Sequence, residues 1–478
     1  MRFKEPTFIQ SVLPIFLMFI TVMIGRVYLG YPIEPMILLA AVFAGFMAWY
    51  LQCDWSVLES AILGKIDVAM GGMLIIFSIG SMVGTWMFCG TVPYMVYLGI
   101  QIVNPEYMLL SAFIVCTIVS VCTGTSWGSA ATIGVAMIGI AHGLGLPLAP
   151  VAGAALSGCY IGDKMSPLSD TTNLAPAVSG AELYEHIRHM CYTTIPGIIL
   201  CLIVYTVFGE GASEKMSTPQ EIQLLLDQLS DIYNWNILLL LPPLILITGS
   251  VLKWPVLPTI ILTSIFSLLL GLGLQDNLEI RDGIIATVSG FKVSMLGYEG
   301  EVLPAVEKLI NRGGMMSVME NMAILCCAMA FGGIMQGSGM LEVVLKKMLT
   351  RVKTDAGLII TTLASCFTLC FSTGSAYLGI LIPGALFKNT FLERQLHPKN
   401  LSRALEDSAT LMDCAIPWAS GAIYMSSVLG VSSFEFLPWL VFNVSSIFIA
   451  AISALLGIGI VKISKDEAER RLNESHEC

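Results

Sequence analysis

The chain has 478 residues, 56% of them hydrophobic and 12% charged, with a mean hydropathy of +0.80. Soluble domains carry about 25% charged residues, so this composition excludes a soluble globular protein and reads as a polytopic membrane protein. A net charge of −10 also excludes a nucleic-acid partner.

Arg2 and Lys4 could open a signal peptide, but the apolar run from Phe8 to Tyr28 is long for one and holds Pro14, so it predicts a retained first span. Runs able to cross a bilayer, about 20 residues, follow at 34–51, 70–90, 192–209, 233–250, 255–272, 315–337 and 436–461. Between them lie two clusters of shorter runs, 106–180 and 356–430, broken by Gly, Pro, hydroxyls and carboxylates. Cysteines such as Cys116, Cys122, Cys201, Cys366 and Cys370 stand singly, Cys326 and Cys327 are adjacent, and no CxxC occurs, so they read as small buried hydrophobes.

The breaks resemble one another. Thr123-Gly124-Thr125-Ser126 is echoed by Ser372-Thr373-Gly374-Ser375, and Asp163 to Asn173 is echoed by Glu406 to Asp413, with Asp407 and Asp413 as counterparts of Asp163 and Asp170. This predicts an all-α protein of two repeats, 1–209 and 233–461, joined by a polar, acidic linker at 210–232 and followed by a tail at 462–478. Paired interrupted segments of this kind point to a transporter's binding site.

Loops 91–105 and 142–149 contain no Lys or Arg, whereas the matching loops of the second half carry Lys346, Lys347, Arg351 and Lys353, then Lys388, Arg394, Lys399 and Arg403. The positive-inside rule then inverts the two halves. Segments 106–142 and 356–390 become either re-entrant hairpins with tips near the midplane or pairs of full spans. About ten crossings follow, with both termini cytoplasmic. Trp55 to Met70, with Asp54, Glu59, Lys65 and Asp67 in or beside it, and Leu278 to Arg312 read as interfacial helices or as plain connecting loops. Gly80, Gly84, Gly90, Gly332, Gly333, Gly337 and Gly339 predict close helix packing.

A hard cation such as Na+ needs oxygen ligands. The first half's breaks supply Thr123, Thr125, Ser126, Asp163, Ser166, Asp170, Thr171, Thr172 and Asn173, with Gly124 freeing backbone carbonyls; Thr373, Gly374, Ser375, Asp407 and Asp413 are the second half's set. A carboxylate that binds either Na+ or H+ exchanges the two when its site faces each side in turn, and Asp163 and Asp170 are the leading Na+ ligands. The plainer readings are hydroxyls bonded back to their own helices, an Asp163–Lys164 ion pair, and Asp170 as a helix cap. Glu320 is a proton carrier or a headgroup-level residue. Arg26 and His142 snorkel, and the histidines as a group read as loop residues.

Thr123-Gly124-Thr125-Ser126-Trp127-Gly128, the run Gly162 to Ala175, and Leu401 to Ser408 followed by Ile416-Pro417-Trp418 resemble the NhaC family of Na+/H+ antiporters over nearly the whole chain. The resemblance implies Na+/H+ exchange across a bacterial inner membrane, without a cofactor, and in some members coupling to organic anions such as malate and lactate. It implies inverted repeats, opposed hairpins, frequent homodimers, and an ion site at Asp163, Ser166, Asp170, Thr171, Thr172 and Asn173. The alternative cargo is an organic anion or amino acid. No GxxxxGK[ST], HExxH or GxSxG is present, which leaves no sequence argument for an ATP-driven pump or an enzyme.

Overall fold

A computed structural model describes residues 4–212, 218–276, 278–298, 300–350 and 352–477, and these are almost wholly helical. Arg2, Arg351 and residues 213–217 of the linker lie outside that set. Among the described residues eight helices are long and apolar enough to cross a membrane, and ten if each of two bent pairs counts as one span. This is a multi-pass membrane protein.

Six of the eight follow predicted apolar runs: Phe8–Tyr28, Ile33–Tyr50, Ala69–Cys89, Leu183–Gly209, Val256–Leu274 and Met315–Gly337; the other two, Pro105–Thr123 and Asp355–Thr373, fall in the broken clusters, and the predicted runs 233–250 and 436–461 fall instead in the two pairs bent by 103° and 54°. Two expectations are corrected. Trp55 to Met70 is no separate interfacial segment: Trp55–Cys89 is one helix of 35 residues, with no proline to interrupt it and the Gly71-Gly72 pair carried through in helical form. Within the polar linker, Thr218 and Glu221 form a capping box that starts helix Pro219–Ile232. Leu225 and Leu229 bury that helix's apolar stripe. Finally, His186 and His189 lie buried within helix Leu183–Ala212 rather than in loops.

The two broken clusters have matching geometry at a constant offset of 250 residues. Helices Met108–Thr123 and Asp355–Thr373 end at Gly124 and Gly374, both left-handed, with φ of 71° and 64°. Leu148–Met165 and the run Pro398–Leu405, Glu406–Thr410, Leu411–Ala415 each stop before a short extended segment with a proline, Pro167 or Pro417. Asp170–Ser179 and Ser420–Leu429 then resume the helix and end at left-handed Gly180 and Gly430. The Ser120 hydroxyl bonds to the Cys159 carbonyl as the Cys370 thiol bonds to that of Ala409. On this register Asp163 corresponds to Asp413, while Asp407 corresponds to Ser157, which corrects the Asp163–Asp407 match.

Small residues set the packing distances. A Cβ at Gly158 would come within 3.0 Å of the Thr117 nitrogen, and one at Gly332 within 2.9 Å of the Thr373 Cα. At Gly333 it would lie 2.6 Å from the Ile62 Cα, so helix Met319–Gly337 lies directly on Trp55–Cys89 there. Backbone cannot yield as a side-chain end can. Gly333→Val is therefore expected to destabilise the protein by about 1–3 kcal/mol, read as a lower midpoint of thermal unfolding in detergent.

Candidate functional site

The two breaks and the two glycine turns meet around one cavity of 280 Å³. Its lining includes Thr125 and Trp127 from the first turn, Gly374 to Leu378 from the second, and Tyr160, Asp163, Asp170, Thr171, Thr410, Asp413 and Ser420 from the breaks. Ile75, Ile76, Val256, Leu325 and Met329 supply an apolar wall, and Lys65 stands at one side.

Each break places a carboxylate on the free N-terminus of a restarting helix. One oxygen of Asp163 accepts the Ser126 N–H at 2.8 Å and the other accepts the Ser126 hydroxyl. Asp413 faces the backbone N–H groups of Ala376 and Gly421, and the Ser420 hydroxyl at 3.4 Å. A helix N-terminus attracts anions through its unpaired N–H groups and its dipole. Here the chain supplies its own anion, which remains within reach of the cavity.

The backbone oxygen of Asp163 is drawn into the same cluster, accepting the hydroxyls of Thr171 (3.2 Å) and Thr172. Tyr160, buried beside Asp413, has a hydroxyl without a hydrogen-bond partner among the described residues. No three His, Cys, Asp or Glu side chains gather as a metal centre among the described residues. Around Asp163 the cavity offers a cation hydroxyls, backbone carbonyls and the carboxylates of Asp170 and Asp413, oxygen ligands that suit a hard ion.

The halves also clasp one another. Trp127, three residues after Gly124, stacks on Tyr424 of helix Ser420–Leu429 with ring centroids 3.9 Å apart, and the Tyr424 hydroxyl donates to the Trp127 carbonyl at 2.8 Å. Tyr377, three residues after Gly374, donates its hydroxyl to Asp170 at the start of the other resumed helix. Trp127 and Tyr377 occupy equivalent positions at the 250-residue offset, so each turn sends one aromatic residue onto the opposite break.

Several expected site residues stand elsewhere. Asn173 is exposed and donates to the Pro167 carbonyl at 2.9 Å, which holds the shape of the break. Thr373 bonds back to the Leu369 carbonyl at 2.7 Å, and Thr123 meets the Ser129 hydroxyl at 3.0 Å. The Ser166 hydroxyl accepts the Leu168 N–H at 3.3 Å beneath Gly124, where any Cβ would meet it. Glu320 lines a second cavity of 480 Å³ that also contains Arg26 and Arg312.

Asp407 is absent from the 280 Å³ cavity. It pairs with Lys164 at 2.6 Å, both side chains fully buried, with Arg403 at 3.9 Å and the Thr193 hydroxyl at 2.8 Å. The expected Asp163–Lys164 pair does not form, because successive residues of a helix point in different directions. Glu406, fully buried beside Lys164, Thr171 and Thr410, has no hydrogen-bond partner on either carboxyl oxygen among the described residues. Sequence reading passed over Lys65, Tyr160, Trp127, Tyr377 and Glu406 as site candidates. The 250-residue register would have paired Trp127 with Tyr377. Lys65 lies one turn before the span Ala69–Cys89, and its burial pulls the ammonium down to about 8.

Residues 158–458 match the model of the Na+/H+ antiporter family. The chain is 41% identical to an uncharacterized Na+/H+ antiporter of Haemophilus influenzae, over 97% of this chain and 99% of that one. It is 34% identical to the Na+/H+ antiporter NhaC of Alkalihalophilus pseudofirmus, over 90% and 91%. It is also 30% identical to the malate-2H+/Na+-lactate antiporter of Bacillus subtilis, over 95% and 96%. The chain belongs to the Na+/H+ antiporter family. The family match spans both breaks and the second turn, so Asp163, Asp170, Gly374 and Asp413 lie inside it, while Lys65 and Gly124 lie in the part reached by the full-length relatives.

Breaking a buried ion pair leaves the surviving charge uncompensated and costs about 3–5 kcal/mol. Asp407→Asn is accordingly expected to lower the thermal midpoint far more than Asp163→Asn, because only the former strands Lys164 and Arg403. Equal midpoints for the two variants would contradict the structural role of Asp407.

Proposed function

We propose that the protein is a secondary active transporter that exchanges Na+ for H+ across a bacterial inner membrane by alternating access. One observation carries the reading: in a member of this family, Asp163 and Asp413, 250 residues apart, converge on one cavity, each on the N-terminus of a broken helix. A carboxylate in this position takes Na+ together with neighbouring oxygens, or takes a proton in its place. Asp163 is the principal ligand in this scheme, with Asp170, Asp413, Thr125, Thr171 and Ser375 around the ion.

In this scheme residues 1–209 and 233–461 are inverted halves joined by 210–232, with both termini and the tail 462–478 in the cytoplasm. The turns at Gly124 and Gly374 are the tips of re-entrant hairpins. Support comes from the repeated geometry at the 250-residue offset and from the Lys and Arg clustered in the second half's loops. Homodimers embedded in lipid are the expected assembly.

The test uses purified protein in liposomes that trap a pH dye. A pulse of external NaCl is expected to alkalinise the lumen as Na+ enters and H+ leaves. Asp163→Asn should abolish the signal while the protein still elutes as a folded species, and normal exchange by that variant would remove Asp163 from the site. For topology, single cysteines replacing Tyr97 and Lys347 should label from opposite faces of inside-out and right-side-out vesicles. Labelling from one face would overturn the inversion.

A further inference from the structure

The register that pairs the two breaks also pairs what surrounds them. At the 250-residue offset Asp163 corresponds to Asp413, and Tyr160, one turn before the first, corresponds to Thr410, one turn before the second. Both carboxylates cap a turn in the same way: Asp163 accepts the Ser126 N–H, and Asp413 faces that of Ala376, the residue at the equivalent position. The cavity therefore has two carboxylate corners built to one plan, and a Na+ at Asp163 occupies only one of them.

The second corner has oxygen ligands of its own. Tyr160 reaches it from the first half: its side chain lines the cavity and is 2% exposed, and its hydroxyl, near the Asp413 carboxylate and the Cys414 thiol, has no hydrogen-bond partner among the described residues. Gly421 faces both groups. The Cβ it lacks would stand 2.7 Å from the Tyr160 hydroxyl and closer still to an Asp413 oxygen. Thr410, on the same helical face as Asp413, presents a second buried hydroxyl without a partner among the described residues, and the Ser420 hydroxyl lies 3.4 Å from Asp413. A buried hydroxyl left unpaired is costly, and two of them beside one carboxylate form the oxygen set that a hard cation takes.

Charge points the same way. Three carboxylates, Asp163, Asp170 and Asp413, and one ammonium, Lys65, line the cavity. A single Na+ would leave one negative charge uncompensated in a buried space, which is costly, and a second monovalent cation removes it. At about 30 Å³ per water molecule, a cavity of 280 Å³ has room for both ions.

We propose that the cavity binds two Na+ ions, the second held by the Asp413 carboxylate with the hydroxyls of Tyr160, Thr410 and Ser420. The proposal rests on the antiport reading, because it takes Na+ as the ion that enters this cavity, and it goes beyond that reading by giving Asp413 an ion of its own. The two sites differ in strength. Ser420 stands where the first half has Asp170, so the second site has one negative charge fewer and a weaker Coulomb attraction for its ion.

The test is equilibrium binding of radiolabelled Na+ to the full chain purified in detergent. Two Na+ per chain are expected, the second with a Kd roughly tenfold higher or more. Tyr160→Phe, which removes only the oxygen, should raise the second Kd by roughly tenfold or more and leave the first unchanged. Asp413→Asn should leave one tightly bound ion. One Na+ per chain in the wild type would overturn the proposal whether or not the variants fold. So would a folded Tyr160→Phe in which both constants are unchanged, or one in which both rise together, since the latter is what a packing role for the ring would give. The liposome assay separates this proposal from the antiport reading. Na+-driven proton movement with a single bound Na+ defeats the second site alone; no bound Na+ and no proton movement defeats the antiport reading and the second site with it.

Discussion

The structure depends on the unpaired backbone at four helix ends that meet inside the protein. Where Met108–Thr123 gives way to Ser126 and Leu148–Met165 gives way to Asp170, the chain abandons helical hydrogen bonds inside the protein. A buried N–H without an acceptor costs about 1–3 kcal/mol, and in a membrane such backbone persists only where protein or a polar cavity satisfies it. Asp163 answers the Ser126 N–H, and Asp413 answers those of Ala376 and Gly421. The fold is therefore held at its weakest points by the same two carboxylates that face the cavity.

In the proposed site, cap and ligand in one side chain link stability to occupancy. A proton or a cation on Asp163 alters the bond that pins the first turn to the first break, and the matching event at Asp413 acts on the second. Because Trp127 stacks on Tyr424 and Tyr377 bonds to Asp170, a change at either turn is felt by the opposite half. Loading the cavity thus has a direct mechanical route to the resumed helices Asp170–Ser179 and Ser420–Leu429.

The charges outside the cavity have a different part. Lys164, Asp407 and Arg403 tie Leu148–Met165 to the run beginning at Pro398, while Thr193 of Leu183–Ala212 joins Asp407. This cluster lies behind the cavity, and breaking it would loosen three helices together. One break thus carries two neighbouring charges with opposite duties: Asp163 points to the cavity and Lys164 points away from it.

Much of this was legible in the chain itself. Apolar runs of about 20 residues can be satisfied in lipid only as helices, so six of the eight spans were readable, as were the breaks at Gly124, Asp163, Gly374 and Asp413. The family resemblance was equally readable, because it rests on contiguous motifs such as Gly162 to Ala175. The 250-residue offset of Gly124 to Gly374 and of Pro167 to Pro417 tells which of Asp407 and Asp413 matches Asp163, but local polar pattern alone could not, since both lie in the same stretch. Nor could it show that Trp55–Cys89 runs unbroken and buries Lys65, or that Lys164 turns to Asp407, 243 residues away. Sequence determined where helix fails, because that is set by neighbouring residues; tertiary structure alone decided what each carboxylate and ammonium meets, because those partners come from segments distant along the chain.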